Sequence, residues 1–432
     1  MAEIATKNAL PLQPNASPFF GIVPTKYLSL FLFAACLFLF SRQPTAAQET
    51  QQITIQPGDT WIALSWRYGL LATELQAAYG HPNQQRELPI GTMIALPAGG
   101  VERTGVIKRP FSSPFALALQ HQTSPWQIAI ASNQPNPYRP ALHAPLILPN
   151  DQTPLRELPP AFESLELSQV PAVPGKALAL RGVMASNEDV GVWLWERPFD
   201  TFQNNQNLVA LGATGAFFGT GEPALTIRVG NQPLWSQPWR FVDDSWTFQQ
   251  ITLTGSAAQI DQASIQQERE HLFALWAERT PEPLWQAPFQ IPIESYLSIS
   301  SLFGARRSYN GGPYRTYHEG VDFAAYGGTP VQATADGTVI LAEILYVRGG
   351  AVIIDHGLGV FSGYYHLSSI NVAPGESIVA GQTVGGVGTT GLSTGNHLHW
   401  DLLVANTWID GSQWQAENLA CWIRFGWGEP CY

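Results

Sequence analysis

The sequence predicts a multidomain, mainly β protein. Three observations carry that prediction. At 432 residues the chain has room for two to four domains. Hydrophobic residues make up 45% and charged residues only 13%, so packed domains are expected and a disordered chain is not. The 39 glycines and 34 prolines punctuate short runs in which polar and apolar residues alternate, the pattern of strands joined by many turns. Net charge is −11, with no basic stripe, which argues against nucleic acid as a partner.

Lys26 precedes an apolar run from Tyr27 to Phe40. The run is short for a membrane span and suits the apolar core of a secretory signal; Thr45-Ala46-Ala47 then offers small residues for cleavage. Residues 1–47 are therefore expected to be a signal peptide, which implies export to the cell envelope or beyond. Arg42, directly after the run, is also compatible with an uncleaved membrane anchor. Cys36 does not fit a lipidation site, because the apolar run continues through Leu37 to Phe40. Cys421 and Cys431 lie close in sequence, and in an oxidising compartment they are expected to pair as a disulfide. So short a loop would contribute roughly 2–3 kcal/mol by restricting the unfolded chain.

Residues 51–98 open with alternation at Gln52 to Gln56, a short strand. Pro57-Gly58-Asp59-Thr60 makes a turn whose Asp59 or Thr60 can cap the helical stretch Trp61 to Tyr68. Gly69 stops that helix, Thr73 to Tyr79 gives a second, and Pro89-Ile90-Gly91-Thr92 turns into the strand Met93 to Pro97. This strand–helix–helix–strand unit resembles a LysM domain, on the strength of Pro57-Gly58-Asp59-Thr60 and Ile94-Ala95-Leu96-Pro97. The resemblance implies binding of N-acetylglucosamine glycans such as peptidoglycan, through backbone groups in the loops around the helix starts. The pattern recurs, degenerate, over 108–150: helices at Ser113 to Gln120 and Ser124 to Ala131, then Ala144 to Pro149 as the closing strand. Arg109-Pro110-Phe111 replaces the opening turn.

Residues 154–174 are proline-rich and read as a linker. Short alternating runs at Leu178 to Arg181, Val190 to Trp195, Leu225 to Val229 and Gln249 to Leu253 predict a β-sandwich-like domain over 175–255. Asp243-Asp244 there reads as a solvated turn. In 256–292, Ser256 to Gln259 fits a capping box, and Ile260, Ile265, Leu272, Phe273 and Trp276 mark an amphipathic helix ending before Pro281. His271 reads as a surface residue on it. The last domain spans 293–415, followed by a tail over 416–432.

Chemistry concentrates in that last domain. Alternation puts His397, His399 and Asp401 on one strand face and Leu398 and Trp400 on the other. Upstream stand His318-Glu319-Gly320-Val321-Asp322 and Tyr364-Tyr365-His366-Leu367. Two imidazoles and a carboxylate, as in His318, Asp322 and His399, suit a catalytic zinc site with an open position for water. Gly320 and Val321 argue against a helix here, and Gly320 is expected to supply an unusual backbone angle. Each fragment alone is weak, since a single H-x-H or H-x-x-x-D is usually a surface pair.

Their order is more specific. Phe303-Gly304-Ala305-Arg306, His318 to Phe323, Gly328-Thr329-Pro330-Val331, Asp336-Gly337, Ile354-Asp355-His356-Gly357, Tyr365-His366-Leu367, Gly386 to Gly391 and His397-Leu398-His399-Trp400 follow one another. The series resembles the lysostaphin/LytM-type zinc metallopeptidases over about residues 295–415. That resemblance implies a mainly antiparallel β-sheet domain with the metal at the floor of a groove. It makes His318, Asp322 and His399 the ligands of Zn²⁺, and His366 and His397 the catalytic pair, in either order of roles. His356 falls in a turn motif and reads as structural. The glycine-rich turns over 381–391 lack a Walker lysine and read as groove walls, not a phosphate cradle. The implied activity is hydrolysis of peptide bonds in peptidoglycan stems or cross-bridges, targeted by the LysM units. A non-catalytic regulator of another wall hydrolase, or a glycan-binding wall protein, is the alternative; the intact ligand set favours the enzyme.

Overall fold

The computed structural model describes residues 51–80, 87–100, 102–108, 113–138, 146–149, 154–252, 262–415 and 419–425. The expected signal segment, Ser256 to Gln259 and Cys431 lie outside these residues. Residues 50–432 form one compact unit. Among the described residues no helix is long and apolar enough to cross a membrane.

The chain opens with β1 (Gln52–Thr54), α1 (Trp61–Tyr68), α2 (Ala72–Ala78) and β2 (Met93–Ala95), the strands pairing antiparallel. Thr60 caps α1 by accepting the Ala63 N–H at 3.0 Å, and Gly69 ends it in the left-handed region at φ 65°. Ile55, Leu64, Tyr68, Leu75 and Ile94 form its small core. The same order recurs in β3 (Val106–Lys108), α3 (Pro114–Gln120), α4 (Pro125–Ala131) and β4 (Leu146–Leu148), again with antiparallel strands.

The Pro57–Thr60 turn corrects one expectation. Its backbone is not offered to a ligand. Gly58 donates its N–H to Gln237 Oε1 at 2.8 Å and accepts from the Glu157 N–H at 2.7 Å. The Asp59 carbonyl accepts from Gln237 Nε2 at 3.1 Å. The Asp59 carboxylate is buried and pairs with Arg67. The turn is used to fix the first unit on the domain that follows.

That domain packs two four-stranded sheets. One has the order β5-β6-β10-β9, from β5 (Phe162–Leu167), β6 (Ala177–Met184), β9 (Asp200–Asn204) and β10 (Asn207–Ala213). The other is β12-β11-β7-β8, from β7 (Val190–Leu194), β8 (Arg197–Pro198), β11 (Ala224–Val229) and β12 (Trp235–Pro238). Buried residues alternate along them, as in Val190, Val192 and Leu194 against Leu225, Ile227 and Val229. Two boundaries differ from expectation. The presumed linker contains β5, because Phe162, Leu165 and Leu167 have a core to enter. The presumed last sandwich strand, β13 (Phe248–Ile251), instead runs parallel to β15 (Arg306–Tyr309) beside the C-terminal domain.

Helix α5 (Gln262–Leu275) follows, burying Leu272 and continuing to buried Trp276. The C-terminal domain is built on one antiparallel sheet in the order β14-β17-β25-β21-β20-β19-β23. Its strands are β14 (Ser298–Ser301), β17 (Gly320–Ala324), β19 (Gly337–Leu345), β20 (Gly349–Asp355), β21 (Val360–Leu367), β23 (Ser377–Ile378) and β25 (His397–Val404). Val321, Phe323, Leu398, Trp400 and Tyr364 fill the core behind it. The presumed tail is not loose. Helix α6 (Leu419–Phe425) buries Leu419, Trp422 and Ile423 with Trp285, Trp414 and Leu402, wedging between sandwich and sheet. Cys421 is buried there and disulfide-bonded.

Candidate metal centre

Strand register assembles the site. Asp322 on β17 lies directly opposite His399 on β25, and Ala324 opposite His397. Side chains of paired residues share a face, so alternation carries the carboxylate and both imidazoles to the same side of the sheet, away from Trp400 and Phe323. His318 enters from the turn before β17 and is 1% exposed. His318 Nε2, Asp322 Oδ1 and His399 Nδ1 stand 2.8 to 3.0 Å from one another.

Three such atoms cannot satisfy each other. The Leu302 carbonyl lies 3.0 Å from His318 Nδ1 and can only accept, so Nδ1 carries a proton, and in the neutral ring Nε2 is left as the free lone pair. The carboxylate has no proton to give. Burial pushes the Asp322 carboxyl up, but the neighbouring His318 and His399 rings outweigh that and hold it below the usual range. Burial lowers His399 to about 3, so at neutral pH it is the uncharged imidazole that metals bind. The donor set therefore fits a cation at its centre. A tetrahedral zinc with bonds of about 2.0–2.1 Å would separate its ligand atoms by roughly 3.3 Å, a change of a few tenths of an ångström.

His366 and His397 stand beside this trio, their rings 4.7 Å apart. His366 Nδ1 donates to the Thr390 carbonyl at 2.8 Å, and His397 Nδ1 to that of Gly395 at 2.8 Å. In the neutral ring this leaves Nε2 as the free lone pair, and that of His397 lies 3.9 Å from Asp322 Oδ1. Burial and the neighbouring His397 lower His366 to about 4.

The placement of His366 required a departure from regular strand. Tyr365 pairs directly with His399, so its neighbour His366 would face the opposite side of a regular sheet. Instead Gly350 pairs with Leu367 and Val352 with Tyr364, which leaves two residues, Tyr365 and His366, opposite Ala351. This β-bulge sets His366 at φ 63° and turns its ring to the side of the trio. A left-handed non-glycine residue costs about 1–3 kcal/mol, the kind of strain found where a side chain must be aimed.

Gly320 corrects another expectation. It does not take a left-handed angle; a Cβ there would meet the Trp400 carbonyl at 2.3 Å and His399 Nε2 at 2.8 Å, so glycine permits the close approach of β17 to β25. In the glycine-rich turns, a Cβ on Gly388 would lie 2.5 Å from the Ser368 nitrogen and 2.7 Å from the His366 carbonyl. His356 is fully buried, bonding the Asp336 carbonyl at 2.7 Å and Ser362 Oγ at 2.8 Å, away from the trio. Asp401 shares the strand face of His399 but accepts from Trp408 Nε1 at 2.9 Å, and burial raises it to about 7.

Sequence reasoning missed the supports. Ser301 Oγ lies 2.9 Å from His318 Nδ1, and Gln249 Nε2 donates to that hydroxyl at 3.0 Å. Arg307 sits 3.5 Å from Asp322 Oδ2. The carbonyls of Leu302, Thr390 and Gly395 leave no trace in side-chain pattern.

With this geometry in view, comparison with known proteins is direct. Residues 316–411 match the family model described as Peptidase family M23, and residues 53–97 that of the LysM domain. Over 134 residues the chain is 36% identical to the peptidoglycan DD-endopeptidase ShyA of Vibrio cholerae, covering 31% of each protein. Over 113 residues it is 42% identical to the DD-carboxypeptidase/endopeptidase Mpg of Neisseria meningitidis, covering 26% of each. The chain thus spans less than a third of the length of these relatives. Among solved structures, the catalytic domain of the antimicrobial peptidase lysostaphin from Staphylococcus simulans aligns at 31% identity over 29% of this chain and 90% of that one, with a TM-score of 0.22. The protein carries an M23 peptidase domain and a LysM domain.

Proposed function

We propose that the chain is a zinc-dependent endopeptidase that hydrolyses peptide bonds in the stem peptides or cross-bridges of peptidoglycan. It works as an exported protein at the cell wall, with the LysM domain as a glycan-binding module. The observation that carries this reading is the convergence of His318 Nε2, Asp322 Oδ1 and His399 Nδ1 within 3.0 Å of one another. The M23 match, the endopeptidase relatives and the disulfide-bonded Cys421, at home in an oxidising compartment, support it.

When bound, zinc supplies Lewis acidity and brings the pKa of water down to roughly 7. The chain's own residues do the rest. The Asp322 carboxylate and the His318 and His399 imidazoles would hold the ion. His366 and His397 present their Nε2 atoms on the same side, each ring locked by its Nδ1–H bond to a carbonyl. One of them takes the proton of the attacking water at Nε2. The other, carrying a proton at Nε2 as well as at Nδ1, donates from Nε2 to the oxyanion that develops on the scissile carbonyl.

The test is mass spectrometry of fragments released from defined, cross-linked peptidoglycans. Cleavage at a peptide bond, stopped by a chelator and restored by zinc, is the expected result; release of sugar fragments only, or of none, rejects the reading. Targeting is tested separately. Deleting residues 51–98 should lower retention on insoluble peptidoglycan roughly tenfold or more, as loss of one of two linked binding contacts does, while sparing cleavage of a short soluble peptide. Since the Pro57–Thr60 turn is occupied by the sandwich, retention must come from the other, exposed faces of the unit. Unchanged retention would make the domain a spacer.

A further inference from the structure

Helix α5 lies outside the matched peptidase span, and its inward stripe contains a charge. Ile265, Leu272 and Trp276 recur at helical spacing, and Glu268 falls in the same stripe, only 6% exposed. A buried carboxylate needs partners, and both its oxygens have one. Oε2 accepts the Val347 N–H at 2.7 Å, and Oε1 accepts from Arg348 Nη1 at 3.1 Å.

Val347 and Arg348 form the turn between β19 and β20, and the backbone of that turn reaches His366 by two routes. The Arg348 carbonyl accepts the His366 N–H at 2.8 Å. The Val347 carbonyl accepts the Leu392 N–H at 2.7 Å, and the Gly350 N–H donates to Thr390 Oγ1 at 2.8 Å. Those two bonds place the Thr390 carbonyl that receives His366 Nδ1–H. The Arg348 guanidinium also lies over the Tyr365 ring at 5.2 Å and 3.7 Å from Glu319, the neighbour of His318.

We propose that Glu268 is a positioning residue for His366: by clamping the turn at Val347 and Arg348 it keeps His366 in its bulge, with Nε2 facing the metal site. Helix α5 is then part of the working unit of the peptidase, not a spacer ahead of it. The inference rests on the catalytic role of His366 proposed above. Glutamine at 268 keeps the size of the side chain, but its amide offers one acceptor and one donor group where two acceptors are needed.

The experiment uses the full chain carrying Glu268→Gln, with Gln266→Ala, an exposed position on the same helix, as control. Two readouts are taken. In ¹⁵N NMR the wild-type His366 ring should be the Nδ1–H tautomer, and Glu268→Gln should convert it to a mixture of tautomers; Gln266→Ala should leave it unchanged. On a soluble cross-linked peptide, kcat should fall on the order of tenfold or more, as for a misplaced catalytic group, with KM and bound zinc within twofold. In a His366→Ala background the same substitution should add nothing, because its effect passes through that ring. A wild-type tautomer in Glu268→Gln, or a loss that multiplies in the His366→Ala background, would overturn the proposal. Loss of zinc or of the folded state in Glu268→Gln would overturn it too, making Glu268 a folding residue. If the wild type cleaves no peptide the proposed function fails, while the NMR readout still decides the role of Glu268.

Discussion

Replacing His399 with alanine is expected to remove the metal and the activity together. His399 Nδ1 closes the trio with Asp322 at 2.8 Å and His318 at 3.0 Å, and two remaining ligands do not make a catalytic zinc site. Loss of the ion forfeits several kcal/mol of transition-state stabilisation, a rate factor on the order of 10³ or more. Asp322→Ala should do the same, and it also removes the only carboxylate of the trio. The fold should survive both changes. Leu398 and Trp400 anchor β25 from the opposite face, where both are buried, and neither variant touches them. The measurement is elemental analysis beside cleavage rate on a defined peptide. Full zinc in His399→Ala, with zinc lost from His397→Ala, would exchange the roles of the two histidines on the strand.

His366→Ala and His397→Ala should behave in the opposite way toward the metal. Neither is expected to lose zinc, because neither ring nitrogen belongs to the trio. Each should still cost a rate factor on the order of 10²-fold or more, the scale of a lost acid/base or oxyanion donor. Their rings are 4.7 Å apart and serve one transition state, so the double variant should be little slower than the worse single one. A double variant whose loss equals the product of the single losses would mean two independent roles. Wild-type cleavage by His366→Ala would return it to a structural residue, and the bulge that strains it would then lack a functional reason.

Much of this was legible because it is local. Alternation along His397 to Asp401 put two imidazoles on one strand face, and that requires only the period of the strand. The Pro57-to-Thr60 turn with its following apolar spacing announced the first small unit, whose helix is capped by Thr60 as such turns are. The Asp322–His399 contact was readable only through resemblance, since it joins residues 77 positions apart. The boundaries that went wrong did so for the same reason. The β5 strand looked like linker, and β13 like sandwich, because the partner that decides each assignment lies elsewhere in the chain.

By itself, then, the sequence determined the chemical types at the site, their order, and the strand periods that present them. The tertiary structure alone decided the register that sets Asp322 against His399, the bulge that turns His366 to the side of the trio, and the carbonyls that hold the Nδ1–H of each catalytic candidate. It also decided that Glu268 reaches this machinery from a helix outside the matched span. The physical reason is that backbone carbonyls are the same in every residue. Which one meets which imidazole is set by the pairing of distant strands, and side-chain pattern does not record that pairing.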